Sequence, residues 1–390
     1  MKYPRELRLG VAGLGRAFVL MAPGLVQHPG IHLVAAADPR SEARQRFVAD
    51  FSGSAYETVE QLCGDPGVEA IYVASPHHFH ADHVVLAARS GKHVLVEKPM
   101  ALTLQDCDRM IDGVTTGGVQ MVIGHSHSFD LPVQRASELI AAKTYGALRM
   151  ITAVNFTDFL YRPRRPEELR RETGGGVLFN QAPHHVDIAR ALAESRVTSV
   201  RAIGGAWDPA RPVEGAYSCL LNFESGAFAS LTYSGYAHFD SDEFMGWIAE
   251  SGAPKDANGY GAARKSLHNV RSAADEMALK SARNYGGEGR VSVERDPARL
   301  HQHFGLLIAS CEQADLRPMP GGIAIYADQQ RSFEPVPPPD FPRAEVIGEF
   351  YAAVVEGHPP RHDGGWGRAT MEVCFAIARS ARERREIHLI

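Results

Sequence analysis

The sequence predicts an α/β protein in two parts: a doubly wound parallel sheet, then a second α/β domain with a large, mostly antiparallel open sheet. Over the first 125 residues, short continuously apolar stretches alternate with helical periodicity, as strands buried on both faces and joined by crossover helices require. Beyond residue 125 strand-like stretches follow one another without intervening helices, which suits antiparallel neighbours. A chain of 390 residues with 44% hydrophobic content can bury two cores of this kind.

In the first part, strands are expected at 7–12 (LRLGVA), 32–38, 69–75, 93–97 (HVLVE) and 120–124. Helical spacing runs through FVLMAPGLVQH, SEARQRFVADF, HADHVVLAARS and LQDCDRMIDGV between them. Right-handed crossovers leave every strand's C-terminal end on one edge, where ligands bind in such sheets. The second part opens with a helix at 131–143 and a strand at 148–159, then a Gly-rich loop and a helix over FNQAPHHVDIARAL. Further strands are expected at 197–205, 216–223, 227–235, 244–250, 304–311 and 322–327. The division expected is therefore 1–125 and 126–390. Within the latter, 251–300 is a long loop region with room for one helix, 335–342 a stiff Pro-rich connector and 343–384 a helical tail.

The 41 Lys and Arg against 46 Asp and Glu leave a net charge of -5, which argues against nucleic acid or an anionic membrane as partner. No apolar run approaches the roughly 20 residues a bilayer span needs, and the N-terminus lacks a signal peptide's apolar core. Five scattered cysteines without a CxxC pair read as reduced thiols in a cytoplasmic protein.

The chemistry-bearing motifs gather at predicted strand ends. In GVAGLGRAF, Gly13 and Gly15 fit the first two glycines of a dinucleotide fingerprint, one for the tight turn and one for close approach to a pyrophosphate. Phe18 stands at the third glycine position, beside the small Ala17, and Arg16 opens the helix. Asp38 closes the next strand, where a carboxylate hydrogen-bonds ribose hydroxyls and repels a 2′-phosphate. That points to NAD in a Rossmann-type domain, while Arg40 close by leaves NADP possible. Ser75, Pro76 and His80 follow the third predicted strand, and Glu97 and Lys98 follow the fourth, all on the ligand edge. Lys98 has two readings: a surface lysine tethered to Glu97, or an amine placed in the cleft.

In GGGVLFNQAPHHVD, Asn180 and His184 lie four apart and would share one helix face, with His185 pointing elsewhere and Asp187 three residues on. Histidine pairs at 78/80, 125/127 and 184/185 raise a metal site, but no HExxH or carboxylate-rich cluster accompanies them and no metal is expected. In YRPRRPEELRRE, Arg162, Arg164 and Arg165 precede any acid and could fork a substrate carboxylate; a solvated mixed-charge face is the alternative.

Taken in order, GVAGLGRA, Asp38, SPHHFH, GKHVLVEKPMAL, GGGVLFNQAPHHVD and HDGGWGRATMEVCFAIARSA resemble the glucose–fructose oxidoreductase, inositol dehydrogenase and MocA family across nearly the whole chain. The resemblance implies an NAD(P)-dependent oxidoreductase, with Lys98 as the lysine of EKP and His184 as the family's catalytic histidine. It also implies a homo-oligomer, dimer or tetramer, formed through the C-terminal sheet. Asn180 stands where sugar and inositol dehydrogenases often carry aspartate, and Ser126 and Ser128 replace the family's frequent Asn and Arg. Within the family, NQAPHHVD, the extended 251–290 region and LRPMPGGIAIYAD look most like the bacterial branch oxidising phthalate 4,5-cis-dihydrodiol to 4,5-dihydroxyphthalate. The expectation is thus NAD-dependent oxidation of a cyclic secondary alcohol by Lys98, His184 and Asn180, with His127, His185 and the three arginines at the substrate. A sugar or inositol dehydrogenase and a non-catalytic NAD-binding module are the alternatives.

Overall fold

A computed structural model of the chain describes residues 3–236, 238–288, 291 and 298–389. Residues 289, 290 and 292–297 of the expected loop region lie outside the described residues. The chain divides into two compact units rather than at a single cut. The first comprises Met1–His125, Met277–Arg295 and Pro339–Met371, and the second Ser126–Glu276, Asp296–Pro338 and Glu372–Ile390.

Among the described residues the first unit holds six strands: β1 (Leu7–Ala12), β2 (Ile31–Ala37), β3 (Ser54–Tyr56), β4 (Ala70–Val73), β5 (His93–Val96) and β6 (Met121–Ile123). They form one sheet, all neighbours parallel, in the order β3-β2-β1-β4-β5-β6. Strand order reverses between β1 and β4, the switch point whose crevice receives ligands in doubly wound sheets. Every residue of β4 and the last three of β5 are buried, which explains their uninterrupted apolar runs. β3 escapes sequence reading because it is three partly exposed residues on an edge. The crossover helices are α1 (Arg16–Gln27), α2 (Ser41–Phe51), α3 (Val59–Cys63), α4 (His80–Arg89) and α5 (Leu104–Gly117). Phe18 fills the third glycine position because its ring belongs to an aromatic cluster, 6.4 Å from Phe47 and 5.1 Å edge-on from Tyr285.

Among the described residues the second unit holds nine strands: β7 (Leu148–Phe156), β8 (Val197–Gly205), β9 (Ala216–Phe223), β10 (Phe228–Ser234), β11 (Leu306–Cys311), β12 (Ala314–Met319), β13 (Gly322–Ala327), β14 (Arg331–Pro335) and β15 (Ile387–His388). Their order is β14-β13-β12-β11-β7-β10-β9-β8-β15, antiparallel throughout except where β7 pairs parallel with β10. Alternate residues of β9 are buried (Tyr217, Cys219, Leu221, Phe223) and exposed, the signature of a sheet with one covered face. Helix α6 (Leu131–Ala141) packs against α8 (Ala182–Ala193), with the short α7 (Val177–Asn180) preceding it. Three expectations change. The 244–250 stretch is a 3₁₀ turn, Ser241–Met245, followed by Gly246 and Trp247 in left-handed conformation (φ 67° and 59°), which cannot continue as a strand. β12 and β14 appear where Arg317, Pro318 and Glu334 interrupt the apolar pattern. The described residues of the expected loop carry two helices, Ala262–Leu267 and Ala273–Ala282, neither burying a residue, so hydrophobic periodicity could not announce them. Among the described residues no helix is long and apolar enough to cross a membrane.

Candidate active site

In the first unit the candidate residues line the C-terminal edge of the sheet. Gly13 takes φ 100°, and a Cβ there would stand 2.9 Å from the Ala74 carbonyl oxygen, so this turn admits only glycine. A Cβ on Gly15 would meet nothing within 4 Å, and α1 begins there without a side-chain cap. This leaves an open backbone edge against which a diphosphate fits. Asp38, buried after β2, accepts from the Leu14 N–H at 2.8 Å and from Arg40 Nε at 2.9 Å. Arg16 and Ala17 are half-buried on the first turn of α1.

Ser75 and Pro76 leave β4, and His80 is fully buried behind them. Its Nε2 lies 3.0 Å from the Ser75 carbonyl and its Nδ1 2.9 Å from the Pro99 carbonyl. Burial lowers its pKa against the pull of these two carbonyls. Both ring nitrogens are occupied by backbone, so His80 braces the loops after β4 and β5, and its imidazole is not offered to a ligand. His83 adds a 2.9 Å contact from Nδ1 to Ser75 Oγ, one that sequence reading missed. Glu97 Oε1 accepts from the Tyr72 hydroxyl at 2.5 Å and faces Arg343 Nη1 at 3.6 Å. The carboxylate at the end of β5 therefore has buried partners within the unit, and Lys98 follows it half-buried.

In the second unit, α8 supplies His184, His185 and Asp187, all buried. Phe304 centres an aromatic group: its ring centroid lies 4.8 Å from those of His184 and His185, 5.1 Å from His127 and 5.9 Å from Tyr233. His127 Nδ1 is 2.7 Å from Asp130 Oδ2, and its Nε2 is 3.5 Å from Glu250 Oε1. Burial alone would strip its proton, but these two carboxylates reverse that and raise its pKa to about 9. Burial pushes Glu250 up in turn, while His127, Arg162 and His303 pull it down to about 2. His185, with Nδ1 2.8 Å from the Tyr217 hydroxyl, is driven to about 3 by burial and by the charge on His127. Ser126 Oγ lies 3.4 Å from His184 Nδ1, and Ser128 hydrogen-bonds Asp187.

Two sequence expectations are corrected here. Asn180 and His184 do not share one helix: Gln181 (φ -120°, ψ -38°) breaks α7 from α8. Asn180 Nδ2 donates instead to the Gly174 and Gly176 carbonyls at 2.9 Å each, holding the glycine turn. The arginines also part company. Arg164 is buried over the Phe159 ring, 3.7 Å from its centroid, and donates to the Phe159 carbonyl. Arg165 faces Glu167 and Glu168 at 3.3 and 3.5 Å. Arg162 pairs with Asp158, 2.7 Å from its Nε; burial lowers its pKa, but Asp158 and Glu250 outweigh that and raise it.

Comparison with known proteins matches this architecture. Residues 7–125 fit the model of the GFO/IDH/MocA oxidoreductase family's NAD-binding Rossmann fold, and 133–248 fit the GFO/IDH/MocA C-terminal domain. A 1-carboxy-3-chloro-3,4-dihydroxycyclohexa-1,5-diene dehydrogenase from Comamonas testosteroni is 46% identical, over 95% of this chain and 94% of that protein. The chain belongs to the GFO/IDH/MocA oxidoreductase family. The crystal structure of a putative dehydrogenase from Bordetella bronchiseptica superposes with a TM-score of 0.92 at 40% identity, over 98% of this chain and 100% of that one. At 20% identity the WlbA dehydrogenase from Bordetella pertussis, solved with NADH and UDP-GlcNAcA, shares the fold (TM-score 0.70, 99% of each chain).

As a GFO/IDH/MocA protein the chain is an NAD-dependent oxidoreductase. The residues that would hold the nucleotide are those at the sheet edge: the Gly13–Gly15 turn at the diphosphate, Asp38 at the adenosine ribose, and the backbone of the loops after β4 and β5 beyond the switch point. Sequence reading missed Asp130, Glu250, Tyr233 and Phe304. Each lies far along the chain from α8 or in a segment with no motif, so only the folded sheet brings them to it.

Proposed function

We propose that this protein oxidises a carboxylated cyclic cis-diol, of the kind represented by phthalate 4,5-cis-dihydrodiol, to the corresponding catechol; the Comamonas relative's name, which carries a carboxylated ring diol, supports that substrate class. The observation that carries the reading is the buried His127–His184–Phe304 group, suited to a planar ring, in the same unit as Arg162, whose guanidinium suits a carboxylate. Bound NAD supplies the hydride acceptor. The chain's own residues handle the hydroxyl. His184, with Nδ1 turned to Ser126, receives the hydroxyl proton at Nε2. The His127 ring stands against that of His184, centroid to centroid at 4.8 Å. Lys98, half-buried on the ligand edge of the first unit's sheet, is the alternative acceptor of that hydroxyl proton. The ketone so formed on a dihydrodiol tautomerises to an aromatic ring, which drives the oxidation forward.

Following nicotinamide reduction across carboxylated cis-dihydrodiols, uncarboxylated dihydrodiols, inositols and sugars tests the reading. Turnover confined to inositols or sugars rejects it. Replacing Arg162 by alanine is expected to raise KM for the carboxylated diol about 10- to 100-fold, the loss of one charge-assisted hydrogen bond of about 1.5–3 kcal/mol, with a smaller change for an uncarboxylated one. Equal changes for both would remove Arg162 from carboxylate recognition.

A cytoplasmic location and a homo-oligomer assembled through the outer face of the second sheet belong to the same reading. Five free cysteines suit the former. Ile203 (70% exposed), Leu220 (50%) and Phe228 on that face support the latter. Leu220→Arg is expected to shift the mass read by light scattering toward the monomer.

A further inference from the structure

Asp38 in this structure has no acceptor position left for a ribose. Its Oδ1 takes the Arg40 backbone N–H at 2.9 Å and Arg40 Nε at 2.9 Å. Its Oδ2 takes the Leu14 N–H at 2.8 Å and Arg40 Nη2 at 3.1 Å. A carboxylate offers about four such positions, so a ribose hydroxyl must displace a side-chain contact of Arg40 to bind there. How far Arg40 can then move depends on its other anchors. Nη2 also donates to the Leu14 carbonyl at 2.8 Å, and Nη1 to the Tyr285 carbonyl at 3.2 Å.

Tyr285 lies 245 residues further along the chain but within the same unit. Its ring is buried edge-on to Phe18, and its hydroxyl donates to Asp50 on α2 at 2.7 Å. The next residue, Gly286, has φ 88° and lies so close to α2 that a Cβ would stand 2.9 Å from Ala43 Cα. The carbonyl that holds Arg40 is therefore itself fixed on both sides.

We propose that the Tyr285–Gly286 segment sets nucleotide selectivity by tethering Arg40. Tethered, the guanidinium stays against Asp38 and the two carbonyls when a ribose hydroxyl takes one contact, so it is not delivered to a 2′-phosphate. Released, it turns to that phosphate, for which its planar fork is suited. Preference for NAD over NADP then rests on a distant backbone carbonyl as well as on the carboxylate of Asp38.

The test is direct binding of NADH and NADPH to the full chain, followed by nicotinamide fluorescence, which needs no turnover. Gly286→Val is expected to push the segment off α2 and raise NADPH affinity at least about fivefold relative to NADH. Adding Arg40→Ala to that variant is expected to abolish the gain. An unchanged NADPH-to-NADH affinity ratio in a folded Gly286→Val protein, or a gain that survives loss of Arg40, overturns the proposal. Should Gly286→Val not fold by its melting curve, Arg40→Lys decides. A lysine cannot bridge Asp38 and both carbonyls at once, so its untethered charge must raise relative NADPH affinity, and no rise overturns the proposal.

Discussion

Replacing Lys98 by alanine is expected to lower turnover by about 10²–10⁴, the usual contribution of a positioned acid–base group, while the dissociation constant for NADH changes no more than about threefold. Lys98 follows a strand whose last three residues are buried, and it ends half-buried on the ligand edge of the sheet. A lysine kept only for solubility seldom occupies such a place, since its stem readily carries the ammonium into water. The adjacent carboxylate has its own partners, Tyr72 and Arg343, so Glu97 is explained without making it a surface tether for Lys98. Lys98→Ala removes the amine but leaves the Gly13–Gly15 turn and Asp38 intact, so kcat and nucleotide binding should separate. Turnover within about threefold of wild type would assign Lys98 to the surface and leave the oxidation to other groups. A parallel loss of NADH affinity would make it a nucleotide-binding residue instead.

Most of the first unit was legible in the sequence because a parallel sheet buries both faces. AIYV and HVLV have no polar residue in their buried positions to blur the period. The turn at Gly13 was legible for a related reason, since a left-handed φ beside the Ala74 carbonyl admits one residue type. β12 and β14 were not, because Arg317, Pro318 and Glu334 sit on partly exposed or edge strands where hydrophobic alternation carries little signal.

Site residues divide along a similar line. Those at strand ends, Asp38, Ser75 and Lys98, could be placed by counting from a strand. The helical reading of Asn180 and His184 failed because spacing of four means one face only if the helix is continuous, and Gln181 interrupts it. Likewise three nearby arginines suggested a fork, yet Phe159 captures Arg164 through both its ring and its carbonyl. Local sequence gives a charge's presence; which partner takes it is decided by residues brought from elsewhere, as Glu250 is brought to His127.

The imidazolium of His127 carries a second large expectation, a loss of stability on the alkaline side. Its pKa is raised to about 9 in the folded protein by Asp130 and Glu250, against an ordinary value near 6.5. A proton held more tightly by the folded state stabilises it fully below about pH 6.5, and that contribution fades as pH rises through 9. The group is buried, with 5% of its side chain exposed, so the effect is on the order of 1–3 kcal/mol. Acid works through other groups. Below about pH 6.5 the unfolded chain protonates His185, which the folded state holds neutral down to about 3. Glu250, held near 2, loses its contribution as pH falls below about 4.5. Melting temperature should therefore peak between about pH 6 and 7 and fall on both sides. His127→Gln is expected to lower the peak, because Asp130 and Glu250 lose their cation, and to flatten the decline between pH 6.5 and 9. Parallel curves for wild type and His127→Gln across that interval would mean that His127 is neutral in the folded protein.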